Sequence, residues 1–206
     1  MKGNLIIISS PSGGGKGTLI RELLNMVPEL GYSISLTTRP PRAGEENGKH
    51  YHFVSQREFE TYKQQGGFLE SAEVHGNFYG TSVEQTDKMR NAGMDVVLEI
   101  DVQGAASVLE KVPDAVSIFI LPPSYEVLKA RLTARATEDP KDLELRLKNS
   151  LSEVMQFSDF AYVVVNDDVA SASRKMAAII LAERQRPHRQ AELIHGILGS
   201  FERATL

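Results

Sequence analysis

The chain has 206 residues, 41% of them apolar and 24% charged, with a formal charge of −4 and no cysteine. That length buries a real core as one domain or one domain with insertions, while the missing thiols exclude a disulfide framework, a zinc knuckle and a thiolate nucleophile. The acidic balance argues against a nucleic-acid partner, and the lack of a membrane-length apolar run or a signal-peptide pattern leads us to expect a cytoplasmic protein.

Residues 5–8 are a continuous apolar run that passes through Ser9 into Ser10-Pro11-Ser12-Gly13-Gly14-Gly15-Lys16-Gly17-Thr18, before an amphipathic segment begins at Leu19. The order reads as strand, phosphate loop, helix. Three consecutive glycines let the main chain turn its N–H groups inward without Cβ clashes, so several donors converge on one polyphosphate. A helix opening near Lys16 adds its unpaired N-terminal amides and the positive end of its dipole. Lys16 brings a mobile full charge to the outer phosphates, and Thr18 a hydroxyl. The strict spacing of glycine, four residues, then Gly-Lys-Ser/Thr fails at both ends, with Ser10 at the first glycine and Gly17 at the hydroxyl position. Nucleotide binding is the working expectation, against a glycine-rich turn without ligand.

The first helix is expected to fade over 28–31, and residues 32–37 alternate like a strand with one buried face. In Thr37-Thr38-Arg39-Pro40-Pro41-Arg42-Ala43-Gly44-Glu45 the prolines forbid helix and stiffen a segment bearing Arg39 and Arg42, which reads either as a phosphate fork or as solvated loop arginines. Residues 50–54 form a short strand, on which His50 and His52 share a face as a surface pair. Ser55 with Glu58 opens a helix as a capping box. Residues 68–74 and 78–81 flank a His75-Gly76-Asn77 turn as a hairpin, and Thr81 with Glu84 caps the helix that stops at Gly93.

Residues 94–101 form an apolar strand ending in Glu99 and Asp101, an arrangement that in phosphate-loop proteins brings a carboxylate near the metal held by the phosphates. Residues 116–121 read as a strand buried on both faces. Pro122-Pro123 ends it, and Ser124 caps a helix bearing Leu128 and Leu132, on which Arg131 and Arg135 lie one turn apart. Past a break at Asp139-Pro140, a second helix carries Leu143, Leu147, Leu151 and Val154 as an apolar stripe with Arg146 off it. This hairpin reads as a lid bringing arginines over phosphates or as a solvated charged face. Residues 161–165 are the last strand and Asn166-Asp167-Asp168 a turn or cap. A long helix over 170–186 follows, with Met176, Ile179 and Ile180 in the core, and then a basic helical tail. The whole reads as α/β, a parallel sheet flanked by helices with ligands at the carboxyl ends of its strands and a strand-rich insertion over 33–92.

Together, the segments Ser10 to Thr18, Thr37 to Glu45, Asn77-Phe78-Tyr79-Gly80-Thr81, Glu99-Ile100-Asp101-Val102-Gln103-Gly104, Ile120-Leu121-Pro122-Pro123 and Val165-Asn166-Asp167-Asp168 resemble, in order and spacing, the guanylate kinases of bacteria. The resemblance spans nearly the whole chain. It implies a phosphate-loop core over 1–32, 93–124 and 157–206, a GMP-binding insertion over 33–92 and a mobile lid over 125–156. It implies transfer of the γ-phosphoryl group of ATP to GMP, and to dGMP, with magnesium accompanying ATP. By similarity the loop from Ser10 to Thr18 binds ATP together with Asn166. Arg39, Arg42 and Tyr51, helped by Tyr79, hold the GMP phosphate, and Ser35, Glu70, Thr81 and Asp101 read the guanine. Lys16, Arg39, Arg131, Arg135 and Arg146 stabilise the transferring group, and Thr18, Glu99 and Asp101 hold magnesium through water. Glu99 stands where the family more often has Asp, and Ala136 replaces a common lid glycine. The rival readings are a catalytically silent interaction module of this family and a kinase of another phosphorylated ribose compound. Oligomeric state is left open, a homo-oligomer included.

Overall fold

The computed structural model describes residues 1–74, 76–135 and 140–204, without the side chains of 135, 140–142, 203 and 204. The expectations for His75, the Arg135 guanidinium, the Ala136 hinge and the break at Asp139 therefore lie outside the described residues.

The chain opens with β1 (Leu5–Ser9), α1 (Lys16–Met26) and β2 (Leu30–Tyr32). Every residue of β1 is buried. Ile6 and Ile8 join one core with Leu19, Ile20 and Leu23 of α1, whereas Leu5 and Ile7 face a second core. Covered on both sides, the strand can be apolar throughout, which is why it reads as a run rather than an alternation.

The insertion comprises β3 (Leu36–Thr37), β4 (His52–Phe53), α2 (Gln56–Gln64), β5 (Phe68–Val74), β6 (Asn77–Ser82) and α3 (Val83–Asn91). Its sheet runs β4-β3-β6-β5, and a small core of Leu36, Phe59 and Phe68 sits under it, with the Phe59 and Phe68 rings stacked at 4.5 Å. Three expectations are corrected here. The strand over 32–37 is two strands in different sheets: Tyr32 pairs with the central sheet and Leu36 with the insertion, while the apolar-polar alternation continues through the crossing and hides it. Ser82, not Thr81, caps α3, accepting the Gln85 N–H at 3.2 Å, because the Thr81 hydroxyl is given to Glu70. His50 precedes β4 and accepts the Glu46 N–H at its Nδ1, so it shares no strand with His52. The capping box at Ser55 and Glu58 is present with both of its bonds.

The chain returns as β7 (Asp95–Glu99), α4 (Val102–Lys111) and β8 (Val116–Leu121), followed by the helical pair α5 (Tyr125–Arg135) and α6 (Pro140–Val154). It ends with β9 (Tyr162–Val165), α7 (Val169–Glu183) and α8 (Ala191–Ala204). The central sheet has the order β2-β7-β1-β8-β9 and every neighbouring pair is parallel. All its carboxyl ends therefore lie on one edge, the edge from which the phosphate loop and Asp101 emerge. Met176 and Ile180 of α7 are fully buried and Ile179 half-buried, while Leu151 of the expected α6 stripe is 52% exposed. No described helix is long and apolar enough to cross a membrane.

Candidate functional site

Between β1 and α1 the main chain makes a tight nest. Gly13 and Gly15 have φ of 82° and 93°, in the left-handed region that disfavours side chains. At Gly14 a Cβ would lie 2.6 Å from the Ser10 side chain. Neighbouring elements fence the loop. Leu128 and Leu132 of α5 pack where a Gly13 Cβ would come within 3.1 Å, and the Asn166 amide donates to the Gly14 carbonyl at 2.8 Å. From α6, Glu153 accepts the Ser12 N–H at 3.0 Å and Ser150 donates to the Ser12 carbonyl at 3.3 Å. Lys16 opens α1, and its ammonium donates to the Ser10 carbonyl at 3.2 Å. Burial pushes its pKa below the ordinary lysine value, while Glu99, Glu153 and Asp101 pull it back up. Gly17 and Thr18 lie exposed on the first turn, and a Gly17 Cβ would meet Glu99 Oε1 at an unstrained 3.9 Å.

Lys16 is also one wall of a cleft of about 280 Å³ shared with Tyr32, Ser35, Tyr51, Glu70, Tyr79, Glu99 and Asp101. Within this lining Glu70 is buried and its Oε1 accepts the Thr81 hydroxyl at 2.6 Å. Burial raises the Glu70 pKa above the usual carboxylate value against the lowering effect of the Thr81 bond, and the nearby charge of Asp101 raises it further. Asp101 caps α4, its Oδ1 accepting the Gly104 N–H at 2.7 Å. Gly104 leaves room for this arrangement, since a Cβ there would lie 3.4 Å from Glu70 Oε2.

Of the sequence-predicted residues, Ser35, Tyr51, Glu70, Tyr79 and Asp101 line this cleft and Thr81 stands beside Glu70. Arg39 lies over the Tyr51 ring at 5.4 Å, with its guanidinium paired to Glu45 at 2.8 Å. Arg42 is exposed outside the lining, and its main-chain N–H donates to the same Glu45 carboxylate. Arg131 donates through Nη2 to the main-chain carbonyl of Asn166 at 3.0 Å, while its buried Nη1 has no hydrogen-bond partner among the described residues. Arg146 is half-buried on α6. Four residues escaped the sequence reading: Tyr32, which donates to Glu99 at 3.2 Å, Glu45, Ser150 and Glu153. Glu45 closes the same Pro-rich segment as the two arginines and was legible there. The other three come from remote elements with no local signal.

Among the described residues no three His, Cys, Asp or Glu gather closely enough to hold a metal by themselves. Two carboxylates, Glu99 and Asp101, do line the cleft together with Lys16. Hard oxygen donors in that number fit magnesium held chiefly by phosphate oxygens and water.

A parallel sheet whose central strand empties into a glycine nest with a lysine at the helix start defines a phosphate-loop nucleotide-binding protein. The guanylate kinase family model matches residues 2–183. A guanylate kinase of Neisseria meningitidis serogroup A is 51% identical over 197 residues, 96% of each chain, and one of Clostridium perfringens strain 13 is 48% identical over 191 residues, 93% of this chain and 88% of the relative. The crystal structure of guanylate kinase from Anaplasma phagocytophilum superposes with a TM-score of 0.75 at 34% identity, covering 91% of this chain and 89% of that one. The chain belongs to the guanylate kinase family.

Proposed function

We propose that the chain is an ATP:GMP phosphotransferase, making ADP and GDP, with dGMP as a second acceptor. The observation that carries this reading is one cleft lined both by the Lys16 ammonium, beside a glycine nest, and by the buried Glu70 carboxylate. A carboxylate accepts both N1–H and N2–H of guanine, whereas adenine offers a lone pair at N1 and has no 2-amino group. A site built on such bonds rejects the wrong base because its buried acceptors are then left unpaired.

The loop from Ser10 to Thr18 cradles the donor phosphates with its amides, Lys16 neutralises charge on the β- and γ-phosphates, and Asn166 holds the loop in shape. Glu70, Thr81, Ser35 and Asp101 select guanine. Tyr51, Tyr79, Arg39 and Arg42 hold the GMP phosphate, with Arg39 exchanging Glu45 for it. Residues 33–92 act as the acceptor-binding insertion and 125–156 as a lid over the remaining core. Arg131, whose unpaired Nη1 supports this role, closes with Arg135 and Arg146 over the transferring group. Phosphoryl transfer asks for positioning and charge neutralisation more than for a nucleophilic side chain. Glu99, Asp101 and Thr18 would hold the water shell of a magnesium ion arriving with ATP, which would supply positive charge against the phosphates. A site for ATP and GMP belongs in the cytoplasm, which the absence of cysteine also suits.

Initial rates with GMP, dGMP, AMP, CMP and UMP as acceptors, with and without magnesium, test this. GMP is expected to be phosphorylated fastest and only with the metal. Equal rates across the purine and pyrimidine acceptors would remove the proposal.

A further inference from the structure

Phe68 and Glu70 are two positions apart on β5, so in a regular strand they would share a face. They do not. Phe68 packs on Phe59 in the insertion core, whereas Glu70 meets Thr81 in the cleft. The reason is a bulge: Phe68 pairs with Ser82 and Glu70 with Thr81, so β5 advances two residues while β6 advances one. An extra residue in one strand reverses the facing of everything beyond it. Leu69, the extra residue, drops into the core formed with Leu5, Ile7 and Leu98. The guanine-reading carboxylate faces its cleft only because this bulge is kept.

A bulge leaves main-chain groups outside the ladder, and here one side chain collects them. The Lys111 ammonium donates to the Phe68 carbonyl at 3.1 Å and to the Leu69 carbonyl at 2.6 Å. Successive carbonyls of a regular strand point in opposite directions, so their convergence on one cation is a property of the bulge. Lys111 lies in the last turn of α4, the helix whose first turn is capped by Asp101. One rigid helix thus carries an acid of the cleft at its start and the clasp for Glu70 at its end. Behind β5 the clasp borders a recess of about 890 Å³, for which Glu70 is also a wall.

We propose that Lys111 is a positioning residue for guanine recognition: by holding the carbonyls of Phe68 and Leu69 it fixes the bulge that turns Glu70 into the cleft. The inference rests on Glu70 as the guanine reader, so variants of both residues are measured together. Lys111→Met is expected to raise the KM for GMP roughly tenfold, the scale of losing hydrogen bonds to a charged group. KM for ATP and kcat are expected to hold within about twofold. Because inosine monophosphate lacks the 2-amino group, the preference for GMP over it should fall in Lys111→Met and return in Lys111→Arg, which keeps the charge and the donors. Glu70→Gln should lose the same preference. If Glu70→Gln keeps it, the reading of Glu70 fails. If Glu70→Gln loses it while Lys111→Met keeps it, or if Lys111→Met raises both KM values alike, the role of Lys111 fails. Should Lys111→Met not fold, Lys111→Gln, which retains a donor, is judged by the same ratio.

Discussion

Lys16 and Glu70 are the two charges that the cleft holds away from water, and burial shifts each toward its neutral form. For Lys16 three carboxylates oppose the shift, and its Nζ is held against the Ser10 carbonyl of the loop. Truncating it to Ala should remove roughly 3 kcal/mol or more of transition-state stabilisation, the usual cost of one preorganised electrostatic donor. The check is kcat/KM, and an unchanged value would take Lys16 out of the mechanism. For Glu70 the raised pKa separates two observables. In the proposed role it is the carboxylate form that accepts from guanine, so the KM for GMP should climb as pH falls through the raised value, starting at a higher pH than an exposed glutamate would give. Stability moves the other way: the folded state binds the Glu70 proton more tightly than the unfolded chain does, so this group's contribution becomes less unfavourable as pH falls through the folded pKa. Comparing KM with unfolding midpoints across pH, in wild type and Glu70→Gln, resolves the two. A GMP KM with the same acid dependence in both proteins would mean that another group reads the base.

The loop's shape is not written in the loop alone. Its glycines make the nest sterically available, but α5, α6 and the β9–α7 junction hold it there through Leu128, Leu132, Ser150, Glu153 and Asn166. Asn166 is the most central of these, because its side-chain amide donates to the Gly14 carbonyl and its main-chain carbonyl accepts from Arg131. Replacing it with Ala should raise the KM for ATP by about tenfold, one buried hydrogen bond and an unsatisfied carbonyl being worth 1–2 kcal/mol, and should leave the KM for GMP alone. An equal rise in both would mean that Asn166 supports the fold rather than the loop. Elements of this kind were legible where chemistry is local. The strand, nest and helix at the N-terminus follow from an apolar run meeting glycines, and the capping box at Ser55 from residue types three apart. The bulge in β5 was not, because Phe68-Leu69-Glu70 carries no glycine or turn residue to mark it. The crossing between the two sheets near Ser33 was hidden too, because its polarity alternates as a strand's would.

At the scale of the molecule, the site edge and the opposite edge of the sheet are held by different means. The carboxyl edge carries the nest and cleft, whose glycines and lysine announce themselves even though Ser150, Glu153 and Asn166 brace the nest from afar. The amino edge is held by partners far apart in sequence, which no pattern reveals. Buried Asp95, at the start of β7, accepts the Asn4 N–H at 2.6 Å through one oxygen and the Arg184 Nε–H at 2.7 Å through the other. Arg184 also reaches the Pro28 carbonyl at 2.8 Å, so one guanidinium just past α7 ties β7 to the turn between α1 and β2. Asp95 is 4% exposed and Arg184 22%, so removing the arginine strands a carboxylate that water reaches poorly. Breaking such a pair from one side costs about 3 kcal/mol. Arg184→Met should therefore lower the unfolding free energy in urea by about that amount, while both KM values stay as in wild type below the transition. Asp95→Asn, paired with Arg184→Met, should recover part of the loss, because no buried charge is then left alone. If the double variant is less stable than Arg184→Met, the cost lies in lost packing of the arginine stem and not in the stranded charge.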